Sequence, residues 1–283
     1  MLVQTIPIPE PLTLSASALT REAFAPFGDV IANPRPECRP SNTSPEAISR
    51  GDLLPCGAVS ANQGTAIQYR RIATRPTPQN LYSSAPSGRP ATARTTMFVC
   101  GARTLLSSSS SSSSGKWKGE GGGGGGGVEI KVLERHPFTS QTFIPLTADK
   151  SKRYLVVVAP TLASPTKTEK FPVPQSSSAD GIALPGPGLP DLPNLRAFIA
   201  TAEQAVTYGT GTWHAPMIAL GPPDSTIDFV VVQFANDIPV EDCQEVALES
   251  AGAVDAKGEG EARGIFVRVP PQEESEGRMG SKL

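Results

Sequence analysis

Proline and glycine set the grain of this chain. The 283 residues include 29 prolines and 27 glycines. Proline removes a backbone donor and fixes φ, and glycine costs conformational entropy inside a helix, so both cut regular structure into short pieces. No amphipathic pattern of helical length recurs between the apolar runs, which are short and partly alternating. About eight to ten short strands separated by turns are expected, with one small helix, a pattern that predicts a mainly β sandwich or barrel. A parallel α/β architecture would need a helix between successive strands and is not expected.

The helix is expected within residues 17–28, capped by Thr20 and ended by Gly28, with Ala23, Phe24 and Phe27 offered to the core. Strands are expected at 29–32, 68–73, 96–100, 128–133, 143–146, 153–159, 212–220 and 227–234. The run at 153–159 is apolar enough to be covered on both faces. Residues 195–200 and 206–208 read as a hairpin across the Thr201-Ala202-Glu203-Gln204 step, and 265–269 as a last strand or part of the tail. Residues 33–55 and 76–94 read as loop, the second suiting a surface loop or a dimer contact. A serine run at 107–114 and a glycine run at 121–127 cannot bury apolar surface and read as one flexible insertion, 107–127. The glycine run lacks a following Lys-Ser/Thr and a helix, so it is no phosphate loop.

The expected organisation is a single domain over 1–250, with a Pro/Ser-rich loop at 160–193, followed by a polar tail over 251–283. The tail ends in Ser281-Lys282-Leu283, the peroxisomal import tripeptide, so a peroxisomal location and an import receptor are expected, with the cytoplasm as the alternative. A net charge of −2 with no basic run gives no reason to bind nucleic acid. No basic start followed by a long apolar run marks a signal peptide, and no apolar stretch is long enough to span a bilayer. Cys38, Cys56, Cys100 and Cys243 form no Cys-x-x-Cys pair and read as reduced, mostly buried thiols.

Only two histidines occur, and each stands in an unusual setting. His136 lies in Leu-Glu-Arg-His-Pro-Phe-Thr-Ser-Gln and His214 in Tyr-Gly-Thr-Gly-Thr-Trp-His-Ala-Pro-Met. Period-two alternation puts Glu134 with His136 on one strand face, and Thr212, His214, Pro216 and Ile218 on another. Taken alone, either histidine is more often a satisfied structural residue than a catalyst. Taken together, at strand ends punctuated by Gly and Pro, they predict one polar cluster at the mouth of an apolar cup. Glu134, His136, Gln141 and His214 are the candidate catalytic groups, with Tyr208 nearby for substrate binding. Arg135 or Arg196 is the expected bidentate partner of a substrate carboxylate.

These two stretches resemble the signature blocks of the ureidoglycolate lyase family. The N-terminal Leu-Thr-Arg-Glu-Ala-Phe-Ala-Pro-Phe-Gly-Asp-Val-Ile and the later Leu-Arg-Ala-Phe are similar to that family too. The resemblance runs with interruptions from about Leu19 to Val246. It implies a cupin-like antiparallel β-barrel, usually a homodimer, that splits ureidoglycolate into glyoxylate and urea in purine and allantoin breakdown. His136 and His214 would then divide the proton transfers, and Gln141 would bind the urea or the developing carbonyl oxygen. Two departures from the cupin pattern stand out: a single His replaces the usual His-x-His pair, and Gln141 occupies the acidic ligand position. No organic cofactor is expected, and a divalent metal on His136 and His214 stays open. The alternatives are an amidohydrolase that releases ammonia from the same substrate and a non-catalytic cupin-type protein that binds a small acid.

Overall fold

The computed structural model describes residues 1–50, 53–75, 79–107, 111–112, 115–116, 125–162, 171–174, 184–250 and 264–272. Its strands in chain order are β1 (Leu2–Ile8), β2 (Leu12–Ser15), β3 (Ser17–Ala18), β4 (Gly28–Ile31), β5 (Ala58–Ala61), β6 (Ala66–Tyr69) and β7 (Thr92–Gly101). There follow β8 (Ser111–Ser112), β9 (Gly115–Lys116), β10 (Gly126–Ile130), β11 (Val132–Arg135), β12 (Gln141–Pro145), β13 (Arg153–Ala159) and β14 (Arg196–Thr201). The last six are β15 (Ala205–Tyr208), β16 (Trp213–His214), β17 (Ile218–Leu220), β18 (Thr226–Ala235), β19 (Gln244–Ser250) and β20 (Ile265–Val269). The helices are short: α1 (Arg21–Phe24), α2 (Pro45–Ser49) and α3 (Pro239–Asp242).

The fold is mainly β, and its strands gather into three principal sheets. A central sheet runs β1-β19-β11-β16-β13-β14-β3, with β17 also on β13. A five-stranded sheet, β4-β15-β12-β18-β7, covers one of its faces, and a three-stranded sheet, β10-β20-β2, covers the other. β13 shows why the central sheet needs both covers. Tyr154, Val156 and Val158 pack with Phe143, Phe229 and Val231 of the five-stranded sheet. Leu155, Val157 and Ala159 alternate to the other face and pack with Val128, Ile130, Val267 and Val269. A strand buried on both faces must be apolar at every position, and this one is nearly so. Each such buried side chain contributes about 1.5–3 kcal/mol.

Several expectations change here. Among the described residues the sheets do not close into a barrel, and β1–β19, β14–β3 and β2–β20 are parallel pairs rather than antiparallel ones. Strands β14 and β15 form no hairpin: β14 pairs with β13, whereas β15 pairs with β12 and β4, so residues 202–204 carry the chain from one sheet to another. Thr20 does cap α1, accepting from Ala23 N at 3.1 Å. The helix, however, is one turn long, and Gly28 begins β4 instead of ending it. A Cβ on Gly28 would stand 1.8 Å from the Thr207 carbonyl oxygen, so the close approach of β4 to β15 requires glycine there. The stretch read as loop at 33–55 contains α2, for which Ser44 and Pro45 supply an N-cap and a pre-set first turn.

Strand β20 is buried in the three-stranded sheet, so residues 265–269 belong to the core and not to a polar tail. Its partner β10 takes in Gly126 and Gly127, the end of the glycine run read as flexible. Residues 121–124 of that run, most of the serine run, residues 163–170 and 175–183 of the loop at 160–193, and Ser281-Lys282-Leu283 lie outside the described residues. Among the described residues no helix is long and apolar enough to cross a membrane.

Candidate active site

Two rows of side chains face each other across the space between the central and five-stranded sheets. In the central sheet the cross-strand register aligns Arg196, Val158, His214, Glu134 and Glu245. Residues directly opposite in a sheet share a face, so this row presents His214 and Glu134 toward the five-stranded sheet. In that sheet the register aligns Gly28, Tyr208 and Gln141, and further on Gln233 and Arg94. A 2.7 Å hydrogen bond from Gln141 Nε2 to Gln233 Oε1 joins the two halves of the second row. The Tyr208 ring closes the gap between sheets by stacking on His214 at 3.9 Å between centroids.

His136 follows β11 and reaches the same place. Its ring centroid lies 5.6 Å from that of His214. His136 Nδ1 meets the Asp242 carbonyl at 2.6 Å, and His214 Nδ1 meets the Thr212 carbonyl at 2.9 Å. A carbonyl only accepts, so each neutral ring carries its proton on Nδ1 and keeps a lone pair on Nε2. Both Nε2 atoms are buried without a partner, as are Gln141 Oε1 and the Tyr208 hydroxyl. Glu134 Oε1 stands 3.5 Å from His214 Nε2. Burial would raise the Glu134 carboxyl, but contact with His214 and the charges of both histidines hold it below the usual carboxylate range. Burial, followed by the neighbouring His214, lowers His136 below its ordinary 6.5, so it is neutral at pH 7. Burial is also the first cause that drives the Tyr208 phenol well above 10, which keeps it a hydrogen-bond donor. Cys243 Sγ lies 3.9 Å from Glu134 Oε2, and burial pushes its thiol up to about 12. It is a weak donor to that carboxylate, with none of the thiolate character of a nucleophile.

The loops that hold the two rings explain the Gly/Pro punctuation around them. Gly211 has φ +72°, and a Cβ there would lie 2.1 Å from Pro185 Cβ. Its N–H donates to the His136 carbonyl at 2.9 Å, tying one histidine loop to the other. Pro216 breaks the strand pairing to β13 into β16 and β17. Alternation therefore fails across it: Ile218 packs on the opposite side from His214, contrary to the parity expected from sequence. The Asp242 carbonyl that orients His136 is itself fixed by the Asp242 carboxylate. That carboxylate accepts from Tyr82 Oη at 2.7 Å and from the Asn236 and Asp237 N–H groups at 2.8 Å each. Sequence reading missed Asp242 and Gln233. The visible signals were an Asn-Asp-x-Pro turn for the first and, for the second, a polar residue at the end of an apolar alternating strand.

Of the sequence-predicted residues, Glu134, His136, Gln141, Tyr208 and His214 come together. Arg135 does not. Its side chain leaves the opposite face of β11, lies 4.5 Å over the Trp213 ring, and donates to Gln244 Oε1 at 2.9 Å and to the Gly186 and Gly188 carbonyls at 2.9 and 3.2 Å. Burial lowers its guanidinium to about 9. It clamps the loop around residues 186–188 and points away from the side chains grouped around His214. Arg196 is exposed, on the same face as His214 and two strands away, a separation of roughly 10 Å.

Glu134, His136 and His214 offer ligand atoms that lie within 4.8 Å of one another. Two imidazole Nε2 lone pairs, each fixed by an Nδ1–H bond to a carbonyl, plus one carboxylate make a donor set that fits a divalent cation such as Zn²⁺.

Comparison with known proteins follows the same lines. Residues 11–255 match a family model described as ureidoglycolate lyase. The chain is 33% identical over 245 residues to a ureidoglycolate lyase of Saccharomyces cerevisiae, an alignment covering 83% of this chain and 93% of that protein. It is 29% identical over 249 residues to one from Schizosaccharomyces pombe, covering 83% and 91%. A Burkholderia cepacia ureidoglycolate lyase is 31% identical over 242 residues, covering 86% and 90%.

Proposed function

The chain belongs to the ureidoglycolate lyase family, and we propose that the cup between its two sheets is where it carries out that family's reaction. The protein is an enzyme, a lyase that eliminates urea from ureidoglycolate and leaves glyoxylate. One observation carries the assignment of the site. Two buried imidazole Nε2 atoms without partners stand beside a carboxylate at the meeting point of the two side-chain rows.

Ureidoglycolate carries a hydroxyl, a carboxylate and a urea nitrogen on one carbon. His136, neutral at pH 7, takes the hydroxyl proton at Nε2. The oxygen lone pair then forms the C=O bond as the C–N bond breaks, and its electron pair leaves with the urea nitrogen. That nitrogen receives a proton from Nε2 of the His214 ring in its imidazolium form, beside which the Glu134 carboxylate stands at 3.5 Å. One proton leaves oxygen and one arrives on nitrogen, so the step balances without an external reagent. Each such transfer is worth about 10²–10⁴-fold. The Tyr208 hydroxyl donates to the developing carbonyl oxygen, and Arg196 anchors the carboxylate from the rim. A divalent ion, if bound, would be held by Glu134, His136 and His214 and would polarise the substrate hydroxyl. No organic cofactor is called for.

The finer features belong to the same reading. The facing sheets are proposed to be a cupin-like arrangement forming a single catalytic unit. A homodimer is proposed, with the edge strand β7 as its seam. Met97, Phe98 and Val99 are 54, 45 and 67% exposed on that strand, and Ile144 and Leu146 lie exposed nearby. Two copies of β7 paired antiparallel about Phe98 would set apolar and uncharged residues against each other and keep the two Arg94 side chains apart. Peroxisomal placement is proposed from Ser281, Lys282 and Leu283 alone.

The test of the reaction is incubation with racemic ureidoglycolate, with and without chelator, and assay of glyoxylate, urea and ammonia. Equal glyoxylate and urea are expected. Ammonia in place of urea would make the enzyme an amidohydrolase, and no turnover would leave a binding protein.

A further inference from the structure

Strand β18 presents Ile227, Phe229 and Val231 to the core between the two sheets, all buried and apolar. Two residues further on, the same face presents Gln233. A polar amide at that position carries a desolvation cost unless it is bonded, and the bond it makes is to Gln141. Gln141 is 5% exposed, sits opposite Tyr208 on the neighbouring strand, and gives its Nε2 to Gln233 Oε1 at 2.7 Å. An amide that donates through nitrogen on one side shows its carbonyl on the other. Gln141 Oε1 is that carbonyl, buried and without a partner.

We infer that Gln233 is a positioning residue: it fixes the Gln141 amide so that its oxygen, not its nitrogen, faces the substrate and accepts an N–H of the urea group. The inference rests on the reading of the site given above and adds the polarity of one wall. The Gln141 oxygen then serves the urea group, the first of the two roles the sequence suggested for this residue, and not the developing carbonyl oxygen, which needs a donor. The wall reads N–H donors on the leaving group. A urea NH₂ satisfies the buried acceptor, whereas a leaving group without N–H leaves it unpaired, and sites built around such a bond discriminate strongly against analogues that lack it.

The test uses product inhibition, because the two products occupy different parts of the cup. Inhibition constants for urea and for glyoxylate are measured on the wild-type enzyme, on Gln233→Met, which has no acceptor, and on Gln233→Glu, which can only accept. Gln233→Met should weaken urea about tenfold and leave glyoxylate within about twofold. Gln233→Glu should keep both near wild type. The unchanged glyoxylate constant also shows that the variant is folded. The inference is overturned if urea fails to inhibit the wild type, if Gln233→Met leaves the urea constant alone, or if it weakens both products equally. A wild-type enzyme that forms no glyoxylate and urea at all would instead overturn the functional reading beneath it.

Discussion

Replacing Glu134 by Gln removes one charge and almost no volume, so it isolates what the carboxylate does for the histidines. Glu134 Oε1 lies 3.5 Å from His214 Nε2. At an effective dielectric of about 20, a full charge pair at that distance is worth about 5 kcal/mol. Part of this is already offset by the desolvation of the carboxylate, which burial opposes. If about half is felt when the His214 ring carries its proton, the barrier rises by roughly 2.5 kcal/mol, near a hundredfold in kcat/KM. A second effect has a definite sign. Glu134 raises the His136 pKa against the lowering by burial and by His214, so its loss lets that pKa fall further below 6.5. The base is active when neutral, and its acid limb should therefore move to lower pH in Glu134→Gln. The assay is glyoxylate formation from about pH 4.5 to 8, with thermal unfolding run alongside. A variant within about threefold of wild type, with an unmoved acid limb, would refute the proposed partnership of Glu134 with the imidazoles.

Three further outcomes are expected. Wild-type stability should fall as pH drops below 6.5, because the unfolded chain then binds a proton that buried His136 resists; guanidinium chloride denaturation at pH 7 and pH 5 measures this. Arg135→Met should cost about 2 kcal/mol by stranding the Gly186 and Gly188 carbonyls yet leave KM within about threefold, whereas Arg196→Met should raise KM about tenfold; steady-state kinetics with a melting curve separates the two. Gly28→Ala should destabilise by about 3 kcal/mol, because the new Cβ meets the Thr207 carbonyl oxygen at 1.8 Å and β4 must leave β15; a lowered melting temperature with loss of activity is the expected result.

Much of the fold could be read along the chain because strand periodicity is a local property. Arg153–Ala159 and Ile265–Val269 have the bounds that their apolar patterns indicate, and Thr20 caps its helix as its residue type suggests. What could not be read depends on which strands meet. Alternation said nothing of the sheet change at 202–204, nor of the reset at Pro216 that turns Ile218 away from His214. The serine and glycine runs hid the start of β10, since Gly126 and Gly127 are strand only because Val269 and Arg268 pair with them. At the site, sparing use of histidine pointed to His136 and His214. Arg135 misled because its type suits a carboxylate, while its parity, opposite to Glu134, places it against Trp213. Gln233 and Asp242 act through other residues, so a polar strand end and an Asn-Asp-x-Pro turn mark them only weakly until the contacts to Gln141 and His136 are seen.

The most direct test is turnover by His136→Ala and His214→Ala, each assayed for glyoxylate and urea in single-turnover format and checked by circular dichroism and melting. Both variants should stay folded and lose at least about a hundredfold in rate, as expected for removal of a proton-transfer group. Folded variants that both retain near-wild-type rates would show that elimination happens elsewhere in the molecule.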